Sequence, residues 1–395
     1  MKVRHNAKRK SPAAVGVLAA AWLTGMCMVG GALAEEGTSV MPTIVVDTAR
    51  SATLPELMTK LRSERVIYVG ETHTAFADHL LQLEVLRAMA ARPEGLALGV
   101  EWFQKPFQAV LDDYVAGKID EAEMLRRTGY YDRWRFDYRL YRPIIRFARD
   151  KGIPIIALNA SRELTSGISR VGINDLPADL RRELPDSYDV SDKAYEEVLR
   201  ETFARHASSN DGDFQRFLEV QLTWDESMAQ GVAEYLQANP AGRMLVLAGR
   251  GHVAGRSGIP NRVTRRTGLR GAVIATFSPS GKLFNEADYL VLASDQTLPP
   301  SGLMRVMLDE RDGGVFIEGF SADSPAEVAG VEKGDRILSI NGAAIEHFAD
   351  VKIAMIDQSP GSEIALSVAR SGLFGKERTL DLTVRLAGES PAMHP

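Results

Sequence analysis

Apolar residues between about positions 65 and 293 fall into short runs that alternate with longer amphipathic stretches. Five runs are almost entirely apolar: 65–69, 96–100, 154–158, 244–248 and 272–276. Runs of this length are typical of strands buried on both faces of a sheet. Between them, apolar residues recur at helical spacing over 78–91, 137–151, 192–206 and 213–239. This alternation predicts an α/β fold with a mostly parallel sheet flanked by helices.

The pattern changes after a polar, Pro-rich segment at 294–302, which predicts a linker. Beyond it, short strand-like runs bounded by turn residues occupy 315–319, 336–340, 364–369 and 380–386. We therefore expect a lead-in at 35–64, an α/β domain at 65–293, a small β-rich domain at 303–388 and a tail at 389–395.

The first 34 residues have the features of a secretory signal peptide. A basic stretch is followed by an apolar run from 12 to 29 and by the small-residue signature Ala32-Leu33-Ala34. We predict cleavage after Ala34 and an exported protein of the periplasm or envelope; an uncleaved membrane anchor is the alternative. Lipidation is disfavoured because Met26, not a small residue, precedes the single cysteine, Cys27. Cleavage would leave no cysteine, which excludes disulfides and thiolate catalysis.

The charge balance argues against nucleic acid as a partner. The formal charge of the whole chain is −5, and five of its 47 basic residues lie in the predicted signal peptide, which has no acid. The rest therefore has 42 basic against 52 acidic residues, a balance of −10. Phosphate neutralisation requires clustered cations.

Polar side chains follow four of the predicted strands. Glu71 and His73 come after the first, Glu101 after the second, Asn159 after the third and His252 after the fourth. Ligands of parallel α/β sheets bind at the carboxyl ends of the strands. Two histidines together with Glu71 or Glu101 suit a divalent metal such as zinc, with positions left open for water.

Structural roles remain open for these residues. Either histidine alone could cap a helix or be a satisfied buried group. Glu101 could cap the helix that follows it, and Asn159 could be a turn residue.

The same strand ends carry a family resemblance. The segments 67–73, 100–101, 141–144, 153–159 and 248–252, taken in this order, resemble the ChaN family of the haem-binding uptake and Tiki superfamily. The resemblance implies an exported protein of haem or iron acquisition, with haem or an iron complex as ligand. The wider superfamily includes metalloproteases and esterases that use similar histidine and glutamate positions. Carried over residue by residue, the resemblance marks Glu71, His73, Glu101 and His252.

A haem pocket needs an axial ligand, apolar walls and cations for the propionates. The segment 130–142 combines tyrosines, tryptophan, phenylalanine and arginines. We assign Tyr141 as a candidate axial ligand, Arg139 and Arg142 as propionate partners, and Asn159 as a further cofactor contact. The alternative is an amphipathic helix start with its arginines in solvent.

The β-rich domain resembles a bacterial PDZ domain. It contains Ser324-Pro325-Ala326, the segment 329–337 with Lys333-Gly334-Asp335, and a hairpin turn at Asn341-Gly342. PDZ domains bind extended peptides or protein C-termini by adding a strand to a sheet edge. The corresponding carboxylate-binding loop contains Leu303, Met304 and Arg305, without the usual glycine after the leucine.

Three functions follow from these observations. The leading one is an exported haem-binding protein of iron acquisition, with a PDZ module for a peptide partner. The second is a metal-dependent hydrolase or peptidase, with His73 and His252 as ligands and Glu71 or Glu101 as the catalytic base. The third is an interaction protein with an idle site, and a homodimer is left open. The chain has no Gly-x-Ser-x-Gly elbow, which argues against a serine hydrolase.

Overall fold

The computed structural model describes residues 51–92, 94–205, 211–277, 287–372 and 377–388. The predicted signal peptide, Cys27 and the predicted tail lie outside these residues. Within them, no helix combines the length and the apolar composition that crossing a bilayer requires. The domain boundaries predicted above stay predictions.

The first part of the chain forms a six-stranded sheet. Its strands are β1 Val66–Glu71, β2 Leu96–Gln104, β3 Ile155–Asn159, β4 Arg243–Gly249, β5 Ala272–Thr276 and β6 Tyr289–Val291. Their order is β3-β2-β4-β1-β5-β6, and every neighbouring pair is parallel. The predicted parallel α/β fold is therefore confirmed.

Twelve helices accompany this sheet in the described residues. They are α1 Leu54–Lys60, α2 Phe76–Ala90, α3 Gln108–Val115, α4 Glu121–Thr128, α5 Tyr130–Arg133, α6 Tyr138–Asp150, α7 Arg162–Val171, α8 Ala178–Arg181, α9 Lys193–Ala204, α10 Asp211–Ala238, α11 Arg250–Val253 and α12 Ile259–Thr267. Short 3₁₀ turns occupy Lys105–Phe107 and Ala254–Arg256.

Alternate residues of the strands point to opposite faces of the sheet. Ile67 and Val69 of β1 join the core on the side of α2, α3, α4 and α6. Val66 and Tyr68 join the core on the side of α10 and α12. Because both faces are covered, the strands read as unbroken apolar runs in the sequence.

The C-terminal part forms an antiparallel sheet with two short helices. Its strands are β7 Val306–Arg311, β8 Gly314–Phe320, β9 Arg336–Ile340, β10 Ala343–Ala344, β11 Glu363–Ser371 and β12 Glu377–Arg385, and its helices are α13 Pro325–Val328 and α14 Phe348–Met355. The order is β12-β11-β9-β8-β7, so β7 is an edge strand. The predicted small β-rich domain is confirmed, and its core is separate from those of the parallel sheet.

The predicted linker is fixed at its C-terminal end. Leu298 packs against the core on the α2 side of the parallel sheet. The Arg139 guanidinium donates to the carbonyl oxygen of Pro299 at 2.8 Å. The amide of Gly302 donates to the carbonyl oxygen of Gln358 at 2.8 Å, inside the β-rich domain.

Candidate functional site

Three adjacent central strands bring their carboxyl ends to one place. The sheet order puts β4 between β2 and β1. Glu71 is the last residue of β1, and His252 lies in α11 directly after β4. Glu101 lies inside β2, not after it, because β2 runs on to Gln104 through an irregularity in its pairing with β3. The expected strand end at residue 100 was therefore wrong, although Glu101 still lies at this edge of the sheet.

His73 and Glu71 form a buried pair. His73 Nδ1 lies 2.5 Å from Glu71 Oε1, and the His73 side chain is 11% exposed. Burial alone would lower the pKa of His73, but the neighbouring Glu71 and Glu101 carboxylates outweigh it and raise that pKa. Because Glu71 holds Nδ1, Nε2 is the nitrogen left to bind a metal centre.

Aromatic rings surround the exposed side of His73. The ring centroids of Trp134 and Phe136 lie 4.9 and 4.7 Å from that of His73. Both rings belong to the segment between α5 and α6. His73 is therefore a carboxylate-supported imidazole with apolar walls.

Glu101 lies between the two histidines. Its Oε2 accepts the amide hydrogen of Gly249 at 2.6 Å, and its Oε1 lies 3.3 Å from His252 Nε2. Burial would raise the pKa of Glu101, but His252, His73 and the Gly249 amide outweigh it and lower that pKa to about 2. Glu101 is thus an ionised carboxylate at neutral pH.

His252 is held by a second carboxylate. Its Nδ1 lies 2.6 Å from Asp225 Oδ1 in α10, and the Asp225 side chain has no exposed surface. Tyr195 of α9 donates its hydroxyl hydrogen to the other Asp225 oxygen. Burial opposes charge on His252, yet Glu101 and Asp225 raise its pKa well above the ordinary value.

Sequence reasoning missed Asp225 and Tyr195. The available signal was an acidic residue between Trp224 and Met228, in a helical stretch treated as packing against the sheet. A buried acid needs a partner, and in this fold the partner is His252.

Part of the predicted metal set lies within reach of one ion. One ligand atom from each of Glu71, His73 and Glu101 lies within 4.8 Å of the others. Glu71 Oε2 is buried and accepts no hydrogen bond from the described residues. His252 is paired with Glu101 and Asp225 and is not part of this three-residue group.

Three of the four predicted cofactor residues, Tyr141, Arg139 and Arg142, make polar contacts within the protein. Tyr141 is fully buried and donates its hydroxyl hydrogen to the His73 carbonyl oxygen at 3.3 Å. Arg139 pairs with Asp137, and Arg142 pairs with Glu121 and Asp357. Asn159, the last residue of β3, is buried.

All three predicted peptide-binding residues make backbone hydrogen bonds within the β-rich domain, Arg305 by accepting the Ser321 amide hydrogen at 3.0 Å. The Leu303 amide donates to the Ala387 carbonyl at 2.8 Å. Met304 is buried in the core of the domain, and its carbonyl accepts the Ser324 hydroxyl hydrogen at 2.9 Å.

Met304 occupies the position where the resemblance expects glycine, and Arg305 follows it. The φ of Arg305 is +55°, the left-handed conformation that glycine adopts without strain. Its guanidinium folds back and donates to the Gly388 carbonyl at 2.9 Å. The loop therefore turns at Arg305, one residue after the position where glycine is expected.

Comparisons with known proteins agree with both parts of this architecture. The family described as haem-binding uptake, Tiki superfamily, ChaN matches residues 57–263. A PDZ domain family matches residues 316–370. A solved structure of ChaN from Campylobacter jejuni, described as showing cofacial haem binding, has 18% identity and a TM-score of 0.50. It covers 62% of this chain and 92% of that chain, and this likeness supports the fold.

Curated relatives match portions of the chain. Protein RETICULATA-RELATED 5, chloroplastic, of Arabidopsis thaliana is 22% identical over 56% of this chain and 32% of its own length. Serine protease Do-like HtrB of Bacillus subtilis (strain 168) is 35% identical over 21% of this chain and 18% of its own length. The chain thus spans about a third or less of the length of these relatives.

The ChaN match covers more than half of the 395 residues and includes the strand ends that carry Glu71, His73, Glu101 and His252. The predicted order, a ChaN domain followed by a PDZ domain, is confirmed. This chain belongs to the haem-binding uptake, Tiki superfamily, ChaN family and carries a C-terminal PDZ domain.

Proposed function

We propose that this protein is exported, binds haem through His73 in the course of iron acquisition, and uses its PDZ domain to bind a peptide partner. The observation that supports haem binding most directly is the setting of His73. Its Nδ1 is held by buried Glu71, and Trp134 and Phe136 flank its ring. Histidine serves as an axial haem ligand, and hydrogen bonding of its second nitrogen orients the ring.

The residues present fit haem in donor type, walls and charge. Tyr141 is a poor axial candidate because its hydroxyl is buried and bonded to a backbone carbonyl. Arg139 and Arg142 are engaged by carboxylates. Arg135 lies between Trp134 and Phe136 in the sequence and is exposed. Among the described residues, its guanidinium donates only to the Asp132 carbonyl, at 3.4 Å. Arg135 therefore replaces Arg139 and Arg142 as our candidate for pairing with a propionate.

Haemin titration followed by absorption spectroscopy tests this assignment. His73→Ala should abolish the axial-ligand signature of the wild-type spectrum. Arg135→Ala should weaken binding without changing the spectrum, because propionate pairing is remote from the iron. Arg170→Ala, a change at an exposed arginine of α7 that bonds only to a backbone carbonyl, is the matched control. A His73→Ala protein with wild-type affinity and spectrum would refute the assignment.

Metal-dependent hydrolysis is the second candidate, favoured by the Glu71, His73 and Glu101 group and by the unpartnered Glu71 oxygen. In this function His73 and Glu71 would hold the ion, and Glu101 would act as the base. His252 would position Glu101 and would not bind the ion.

Metal analysis and haem titration on the same purified sample separate the two functions. The hydrolase is favoured if the wild-type protein contains stoichiometric zinc and binds no haem, and if His73→Ala loses the zinc. In that case Glu101→Gln should keep the metal and stop turnover.

A further inference from the structure

Helix α14 of the PDZ domain contacts the ChaN domain through one of its faces. Val351 lies on the other face and is buried in the PDZ core. Ile353 and, just past the helix end, Ile356 pack against the core of the ChaN domain. The helix is therefore shared between two hydrophobic cores.

Two ion pairs flank this apolar contact. Arg126 of α4 donates through Nε to Asp350 Oδ1 at 2.7 Å, and the Asp350 side chain is only 7% exposed. Arg142 of α6 makes a two-point contact with Asp357, one bond of which measures 3.0 Å. Two-point arginine–carboxylate contacts fix orientation as well as distance.

The ChaN elements that contact α14 also form the wall of the haem site. Helix α14 packs on α4 and α5. Helix α5 leads directly into Trp134, whose ring contacts His73. Arg142 follows Tyr141, whose hydroxyl donates to the His73 carbonyl oxygen. A displacement of α14 therefore acts on two residues that touch His73.

The start of α14 also lies beside the edge strand of the PDZ sheet, where a PDZ ligand would bind. Strand β7 is the edge strand of the PDZ sheet, and a peptide would add to it. Glu310 of β7 accepts hydrogen bonds from the Phe348 amide at 2.7 Å and pairs with His347 at 2.8 Å, at the start of α14. A peptide on β7 thus lies beside α14.

We propose that peptide binding at β7 and haem binding at His73 are coupled through α14, so that displacement of α14 by a peptide weakens haem binding. The inference rests on the proposed haem function. Since α14 is packed on both sides, it cannot move away from β7 without disturbing α5. Coupling of this kind is reciprocal, and its typical size is about fivefold or more in affinity. The protein would release haem when its PDZ domain engages a partner.

A charge reversal at the docking surface tests the coupling without a known peptide. In the double variant Arg126→Glu/Ile353→Glu, the new carboxylate at position 126 repels Asp350. The new carboxylate at position 353 replaces an apolar contact with the ChaN core. Helix α14 should therefore undock from the ChaN domain. We expect haemin affinity to fall about fivefold or more. Arg127→Glu is the matched control, because Arg127 lies on the same helix with the same 41% exposure but faces Asp113.

Hydrogen exchange of the wild-type protein gives a second test that does not depend on a variant. Haemin should slow amide exchange in α14 and leave β12 unchanged. Equal haemin affinity in the wild type and the double variant, or unchanged exchange in α14, would overturn the coupling alone. A wild-type protein that does not bind haemin would overturn the proposed function and the coupling with it.

Discussion

A single methyl group placed at Gly249 should disrupt the site from within. A Cβ there would lie 2.7 Å from His73 Cε1 and 3.4 Å from Glu101 Oε2. Gly249 has φ −54° and ψ 143°, which any residue adopts, so backbone strain plays no part. The effect of Gly249→Ala is therefore steric and is directed at His73.

The distance that the His73 ring must move sets the size of the loss in haem affinity. For His73 Cε1 to retreat from 2.7 to 3.4 Å, where ordinary van der Waals contact begins, the ring must shift by 0.7 Å. This shift is opposed by the short Nδ1 contact with Glu71 on one side and by the Trp134 and Phe136 rings on the other. Overpacking of this kind costs roughly 1–3 kcal/mol. If that cost falls on the haem-binding geometry, affinity should drop by about 5- to 150-fold.

Haemin titration and urea unfolding, measured on the same variants, separate damage to the site from damage to the fold. Gly99→Ala is the control, because its Cβ would lie 2.8 Å from Leu158 Cδ1 and 2.9 Å from Met244 Sδ, away from the histidines. It should lower the free energy of unfolding and leave haemin affinity unchanged. If Gly249→Ala binds haemin with wild-type affinity and spectrum, His73 is not the ligand.

Four further outcomes are expected. Mass spectrometry of the exported protein should show an N-terminus directly after Ala34; a lipid on Cys27 would contradict this. Limited proteolysis should cut within the exposed stretch 292–297, upstream of the point where the linker is bonded to the ChaN domain; cleavage only downstream of it would count against this interpretation. Tyr141→Phe should leave the haem absorption spectrum unchanged, because the buried hydroxyl serves a backbone carbonyl; a shifted spectrum would restore tyrosine as a ligand. The pKa of Glu101 is lowered from 4.5 to about 2, so its contribution to stability is present above pH 4.5 and is lost as the pH falls towards 2. In Glu101→Gln, the free energy of unfolding measured with urea should therefore depend less on pH in that window. An unaltered pH dependence would show that the carboxylate is not stabilised as described.

The central strands could be predicted from the sequence because both of their faces are buried. The run 272–276 coincides with β5, whose five residues are all buried. The run 336–340 coincides with β9, in which Ile337 and Ile340 are buried and the other residues are partly exposed. Strand β6 was not predicted. It is an edge strand of only three residues, each of them partly or fully exposed, so its short apolar run lacks the length and burial of the central strands.

The composition of the site could be predicted only in part. Glu71 and His73 lie two positions apart, directly after an apolar run and Gly70. Because glycine lets the chain turn sharply at a strand end, this local pattern was enough to predict a site there. The pairing of Asp225 with His252 joins residues 27 positions apart on α10 and α11. No local pattern encodes such a contact, because it depends on how α10 packs against the sheet.

The arginines of the segment 130–142 show why composition alone cannot assign a ligand contact. The sequence offers several cations beside aromatic rings, and any of them could meet a propionate. Folding pairs Arg133 with Glu163, Arg139 with Asp137, and Arg142 with Glu121 and Asp357. Three of these carboxylates, Glu121, Glu163 and Asp357, lie outside the segment. Asp357 belongs to the PDZ domain. Docking of the PDZ domain thus pairs Arg142 with Asp357, and Arg142 is not available to a propionate. Arg135, next to Trp134, stays exposed.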